Sequence, residues 1–293
     1  MKFVATGHYV PKQVVTNAEL TEKADWVESK LGIKTRHKAA KNETTVDLGV
    51  QAASSALLNA WPQVRPYDID LIIGVTSSPD VTAPSMASIL QGKLNLKNAH
   101  AFDLGAVCTG FVYALNVAHS MLSKYNTIMI VAAERYSKII DYNRRDNFFF
   151  GDGAGCVIVQ KSDEILFEHH MYTHGDYTDF FVTKDKFDMD AKGVYDYGIK
   201  YVTHSLKQVD TTKAKWIIPH QPNISLLTDI AERCNIPLNK FLLNIEDYGN
   251  IAGATIPATI SRHIDKIQSG DIVVLTAVGA GMTGGTIMME FRK

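Results

Sequence analysis

Short runs of β-branched and apolar residues alternate along the chain with longer stretches whose apolar positions recur every three to four residues. The extended runs predict strands at 2–9, 69–76, 99–103, 127–133, 155–160, 216–219, 242–245, 272–278 and 286–291. The periodic stretches predict helices at 45–60, 84–94, 109–123, 192–207, 223–234 and 252–267. Many of the strands are apolar at successive positions, which suits a sheet covered on both faces. The alternation of the two element types predicts an α/β fold. Residues 162–193 are polar and irregular and read as connecting or capping structure.

The order of elements repeats. In one half a strand ends near Thr76 and Cys108 follows; in the other a strand ends at His220 and Asn250 follows. Cys108 and Asn250 each precede a helix with small residues in its first turn, and each helix leads to a β-branched strand. This predicts a duplicated α/β unit, with halves at 1–161 and 162–293. In parallel α/β sheets ligands collect at the carboxyl ends of strands. Cys108, His220 and Asn250 are therefore expected on one rim.

A thiol at a strand-to-helix junction feels the positive end of the helix dipole and unpaired N–H groups. Both favour the thiolate, the nucleophilic form. Gly105, Ala106 and Gly110 leave room for a ligand beside Cys108. Read alone, Cys108 is equally a small buried hydrophobe, His220 an ordinary buried histidine and Asn250 a turn or helix cap. Cys156 and Cys234 read as packing residues. His119 lies three helical turns from Cys108, too far to serve as its base. The glycine-rich runs 150–155 and 279–285 lead into strands rather than helices, against a dinucleotide fingerprint. The second suits a backbone that aims N–H groups at an oxyanion. His170 and His174 have a metal-like spacing but too few companions, so surface histidines are expected and no metal.

The 293 residues are enough for a sizeable core, and a net charge of −1 argues against a nucleic-acid partner. Three cysteines form no disulfide framework, and no apolar run is long enough for a membrane span. The expected compartment is the cytoplasm.

With these segments together, the chain resembles the β-ketoacyl-acyl-carrier-protein synthase III family, of thiolase fold. The likeness is carried by Val15–Leu20, Leu31–His37, Ala101–Phe111, Phe150–Gly155, Pro219–Asn223, Tyr248–Asn250, Ile256-Pro257 and the terminal glycine loop. The resemblance implies a homodimer of five-layered αβαβα subunits. It implies decarboxylating Claisen condensation of an acyl thioester with a malonyl thioester, in fatty acid or polyketide-type biosynthesis. Cys108 matches the nucleophile, His220 and Asn250 its partners, and the backbone N–H groups of Cys108 and Ala280 the oxyanion donors. Trp26, Lys30, Arg144 and Asn223 match contacts to coenzyme A and its pantetheine arm. Coenzyme A and acyl-carrier-protein thioesters enter as substrates, with no cofactor.

Four positions depart from the family's pattern. Lys30 stands where an arginine is usual, losing the bidentate fork. Ser225 stands where an arginine that docks the carrier protein is common. Ala280 replaces a glycine and would be strained at positive φ. Ala83 falls where typical members carry a phenylalanine that projects into the partner subunit's acyl pocket. That predicts a deeper pocket, for a longer, branched or aromatic acyl group. Two other readings compete: acyl transfer to an alcohol or amine without decarboxylation, and a non-catalytic partner subunit. A relative using acetoacetyl-CoA is disfavoured, since no glutamate stands out as the required acid.

Overall fold

Runs of Ile, Val and Met that are apolar on both faces can be satisfied only between two layers of helix, and the chain builds two such sheets. The structure is a computed structural model describing every residue except 145–147, 164–165 and 185. In chain order the elements of the first half are β1 (Lys2–Tyr9), β2 (Gln13–Thr16), α1 (Asn17–Leu20), α2 (Ala24–Leu31), β3 (Thr35–Lys38), α3 (Thr45–Ala60), β4 (Leu71–Val75), α4 (Met86–Lys93), β5 (His100–Leu104), α5 (Gly110–Met121), β6 (Thr127–Arg135) and β7 (Asp152–Gln160). The second half has β8 (Phe167–Thr173), β9 (Phe181–Thr183), β10 (Phe187–Met189), α6 (Ala191–Leu206), β11 (Trp216–Pro219), α7 (Ile224–Cys234), α8 (Ile245–Tyr248), α9 (Thr255–Arg262), β12 (Ile272–Gly279) and β13 (Thr283–Glu290).

One sheet has the order β1-β7-β6-β4-β5, the other β11-β12-β13-β8. Along β6, Ile128, Ile130 and Ala132 face inward onto α5 and α9, and Met129, Val131 and Ala133 face outward onto α3 and α4. β12 does the same. Val273, Leu275 and Ala277 meet the central helices, while Val274 and Val278 meet α6 and α7. The five layers are therefore helix, sheet, helix, sheet, helix, as a thiolase fold requires. The glycines of the 150–155 run serve this packing. A Cβ on Gly155 would lie 2.4 Å from the Ala258 nitrogen, so only glycine lets α9 lie against β7.

The two sheets share one pattern of strand senses. β4 is parallel to β6, which is antiparallel to β7, which is antiparallel to β1. β11, β12, β13 and β8 repeat the same pattern. The sequence shift that carries the turn Val107–Thr109 onto Ala252–Ala254 also carries Leu71 onto Trp216 and Thr127 onto Ile272.

Four expectations are corrected. The predicted strand at 242–245 does not form. Phe241 makes a single parallel bridge to Ile217 where the other half has all of β5, and Ile245–Tyr248 is one helical turn. The predicted helix at 252–267 starts as a tight turn and ends at Arg262. The stretch 162–193 contains the edge strand β8 and the hairpin β9–β10. Polar residues on an edge strand's open face hide its alternation. His170 and His174 belong to β8 and the residue after it and are half-buried, with His174 Nδ1 2.7 Å from the Tyr197 hydroxyl, so they are not surface histidines. Among the described residues no helix is long and apolar enough to cross a membrane.

Candidate active site

Cys108 sits in the turn Val107–Thr109 between β5 and α5. Val107 takes φ +47°, a strained value for a β-branched residue. The Thr109 hydroxyl donates to the Ala106 carbonyl at 2.6 Å and meets the Thr283 hydroxyl at 2.7 Å. The turn is thereby tied to the terminal glycine loop. A Cβ on Gly279 would stand 3.1 Å from the Cys108 nitrogen. A bare glycine there keeps that N–H open. Ala280 does not take a positive φ, so the strain expected there is absent; among the described non-glycine residues positive φ falls on Asn95, Val107, Asn235 and Ala252.

His220 follows β11, and its N–H continues the ladder to the Thr276 carbonyl at 2.8 Å. Asn250 is clamped through its backbone: its N–H donates to the Phe149 carbonyl and its carbonyl accepts from Gly151. The Asn250 Oδ1 accepts from the Ala252 N–H at 2.8 Å and lies 3.1 Å from His220 Nε2. Oδ1 cannot donate, so Nε2 carries the proton and His220 is the Nε2–H tautomer. Its Nδ1 is buried and has no hydrogen-bond partner among the described residues. What Asn250 has left for the cavity is its Nδ2 donor.

A cavity of about 500 Å³ is lined by Cys108, His220 and Asn250 and extends to Trp26 and Lys30. This is the usual size of a small-molecule site, ~300–1,000 Å³. Asn223 and Ala280 also line it; Asn223 is the N-cap of α7, its Oδ1 accepting from Leu226. Ser225 lines it too, its hydroxyl donating to the Lys30 carbonyl at 2.6 Å. Arg144 does not line it. Its guanidinium donates to Asp188 at 2.6 Å and to the Met189 carbonyl. Ala83 is exposed on the loop before α4 and takes no part in this chain's cavity.

The electrostatics reverse one expectation. Burial, and after it the charge of Glu134, push the Cys108 thiol well above its ordinary range, so the resting group is a thiol and not a thiolate. A helix dipole does not outweigh loss of water around a sulfur this enclosed. Burial also lowers His220, to about 4, against a smaller opposing effect of its bond to Asn250.

The His220 shift has a consequence for stability. The unfolded imidazole titrates near 6.5 and the folded one near 4, so the native state keeps it neutral. That contribution is full above pH 6.5 and is lost as pH falls through 4, about 3 kcal/mol in all. Urea unfolding of the wild-type protein and of His220→Gln should therefore show a steeper loss of stability for wild type between those pH values. Parallel curves would refute it.

Two site residues were missed from sequence. Gln221 is fully buried; its Oε1 accepts from Asn244 and Ile245 N–H, and its Nε2 donates to Thr259. It fixes the turn that carries Asn250 to the end of β11. Glu134 is fully buried at the end of β6. A lone acid closing an apolar strand is the signal that could have found it.

Comparison with known proteins places this geometry in context. Residues 102–175 match the family described as 3-oxoacyl-[acyl-carrier-protein (ACP)] synthase III, and residues 205–291 its C-terminal counterpart. The chain is 34% identical, over all of its length and 99% of the relative's, to a β-ketoacyl-[acyl-carrier-protein] synthase III of Clostridium acetobutylicum. The crystal structure of a 3-oxoacyl-[acyl-carrier-protein] synthase III from Aquifex aeolicus VF5 superposes with a TM-score of 0.94 at 33% identity, covering 99% of both chains. The priming β-ketosynthase of the R1128 polyketide pathway superposes at 0.93 and 25% identity, covering all of this chain and 96% of that one.

Proposed function

Because the chain belongs to the β-ketoacyl-acyl-carrier-protein synthase III family, we propose that Cys108, His220 and Asn250 are its catalytic residues. The protein is an acyltransferase. It condenses an acyl thioester with a malonyl thioester, with loss of CO₂, to give a β-ketoacyl thioester in fatty acid or polyketide-type biosynthesis. The observation that carries the assignment is the 3.1 Å His220–Asn250 contact in the cavity that the thiol also lines.

Cys108 Sγ attacks the acyl-CoA carbonyl. The C–S bond to coenzyme A breaks and the thiol proton leaves on the coenzyme A sulfur. The N–H groups of Cys108 and Ala280 receive the oxyanion. The malonyl thioester then enters. Asn250 Nδ2 donates to its thioester oxygen, where charge builds as CO₂ departs, and His220 Nε2–H joins it on turning from Asn250 Oδ1 to that oxygen. The enolate carbon attacks the acyl-cysteine, and the released sulfur takes up a proton. Trp26, Lys30 and Asn223 line the route for the pantetheine arm, with Arg144 acting only after leaving Asp188. No cofactor is needed for these steps.

The working unit is a homodimer in the cytoplasm. β5 ends its sheet with one edge uncovered, and the loop 79–84 beside it is mostly exposed. An open edge is a pairing surface. Ala83 would then reach the partner's acyl site, where its small side chain leaves room for a longer, branched or aromatic primer. Ala83→Phe should shift preference toward acetyl-CoA by about tenfold or more, one methylene being worth ~1–3 kcal/mol in an apolar pocket. An unchanged primer series would end that reading.

The test of the whole is mass spectrometry of Cys108 after exposure to an acyl-CoA panel, followed by malonyl-carrier protein. Acylation, then CO₂ release and a ketoacyl product, is expected. Acyl transfer to an alcohol or amine without CO₂ would overturn it.

A further inference from the structure

Glu134 is a fully buried carboxylate, and among the described residues no cation pairs with it. It accepts from the Ser77 N–H at 3.0 Å, the Ser77 hydroxyl at 2.9 Å and the Ser78 hydroxyl at 2.7 Å, all just beyond β4. It also accepts from the N–H of Gly253, three residues after Asn250. A Cβ on Gly253 would lie 3.2 Å from Glu134 Oε1 and 2.9 Å from the Val107 carbonyl oxygen. The carboxylate therefore lies where the turn carrying Cys108, the turn following Asn250 and the end of β4 meet.

The duplication gives this position a meaning. The shift that carries Val107–Thr109 onto Ala252–Ala254 carries Cys108 onto Gly253 and Glu134 onto Gly279. Val107 and Ala252 share the same backbone strain, with φ of +47° and +43°. Each half's turn thus points an N–H at the strand end of the other half. The Gly253 N–H meets the Glu134 carboxylate, while the Cys108 N–H meets the bare Gly279. One of two equivalent anion sites is filled from within, and the other is left open beside the sulfur.

We propose that Glu134 is a positioning residue for the condensation: as an internal anion it locks the Asn250 turn in register with the Cys108 turn and sets a negative charge behind the sulfur. The inference rests on the roles given above to Cys108 and Asn250. The titratable groups around Glu134 are Cys108 and Tyr136, whose hydroxyl is 3.0 Å from the Ser77 hydroxyl. His220 lines the same cavity as Cys108. Arg135 turns away, donating to the carbonyls of Ala40 and Lys41. Burial raises Glu134 to about 7, so its charge changes near neutral pH.

Two variants separate charge from shape. Glu134→Gln keeps the shape and removes the charge; its Nε2 must also face fixed N–H donors. Glu134→Asp keeps the charge and shortens the reach. Condensation should fall about 100-fold in both, in kcat rather than in KM for acyl-CoA, as expected for a misplacement near the chemistry. The pH dependence of Cys108 alkylation by iodoacetamide should move to lower pH in Glu134→Gln only. If Glu134→Asp fails to fold, Ser78→Ala keeps the charge and removes one anchor. Full condensation in Glu134→Gln, or the same alkylation shift in both variants, would overturn the proposal. Alkylation uses no substrate, so it reads Glu134 even where the condensing assignment fails.

Discussion

The Cys108→Ala protein takes up no acyl group from acyl-CoA, and its ketoacyl synthesis falls about 10⁴-fold or more. Removing a nucleophile deletes the covalent intermediate and not merely one stabilising contact, which is why the expected loss is the largest here. No other thiol can substitute. Cys156 is fully buried in β7 among residues of α3 and β6, and Cys234 is at the end of α7, 4.0 Å from the Thr203 carbonyl. Neither lines the cavity. Intact-mass spectrometry with acyl-CoA, and product formation with malonyl-carrier protein, are the measurements. A Cys108→Ala protein that supports full activity would revive the reading of a non-catalytic partner subunit.

Alanine at Asn250 or His220 divides the reaction differently. In the proposed mechanism each removes a donor to the enolate oxygen, and loss of one such donor costs about 10²–10³ in rate. Cys108 should still be acylated within a few-fold of the wild-type rate, because the first step uses backbone N–H groups that neither substitution touches. The two changes should also fail to add. His220 Nε2–H is oriented by Asn250 Oδ1, which the Ala252 N–H holds in turn, so the three groups act as one unit. Single-turnover acylation and CO₂ release from malonyl-carrier protein, measured side by side, separate the steps. Equal loss of both steps in Asn250→Ala would contradict the division.

The elements that were legible share one feature: their pattern is set by burial on known faces. β1, β11 and α3 begin and end where the sequence predicts, because both faces of the strands and the stripe of the helix are covered. β8 was not legible because one side of it meets solvent and polar residues break its alternation. The strand expected at 242–245 has an apolar sequence but pairs only at Phe241, since Gln221 instead draws the N–H groups of Asn244 and Ile245 into a helical start. That competition lies between residues distant in the chain, so a local pattern cannot show it.

The same boundary runs through the site. Residue types and their order were enough to put Cys108, His220 and Asn250 forward as a group, and the structure lines one cavity with all three, because a thiol at a strand–helix junction and a matching order of elements are local properties. The protonation states were not local. The dipole argument for a thiolate at Cys108 failed because desolvation depends on every atom around the sulfur. The tautomer of His220 follows from one oxygen contributed by another loop. Glu134 and Gly279 take on their complementary parts only when two halves of one chain face each other, for the sequence names residues one by one while electrostatics and close packing are decided by neighbours that folding alone brings together.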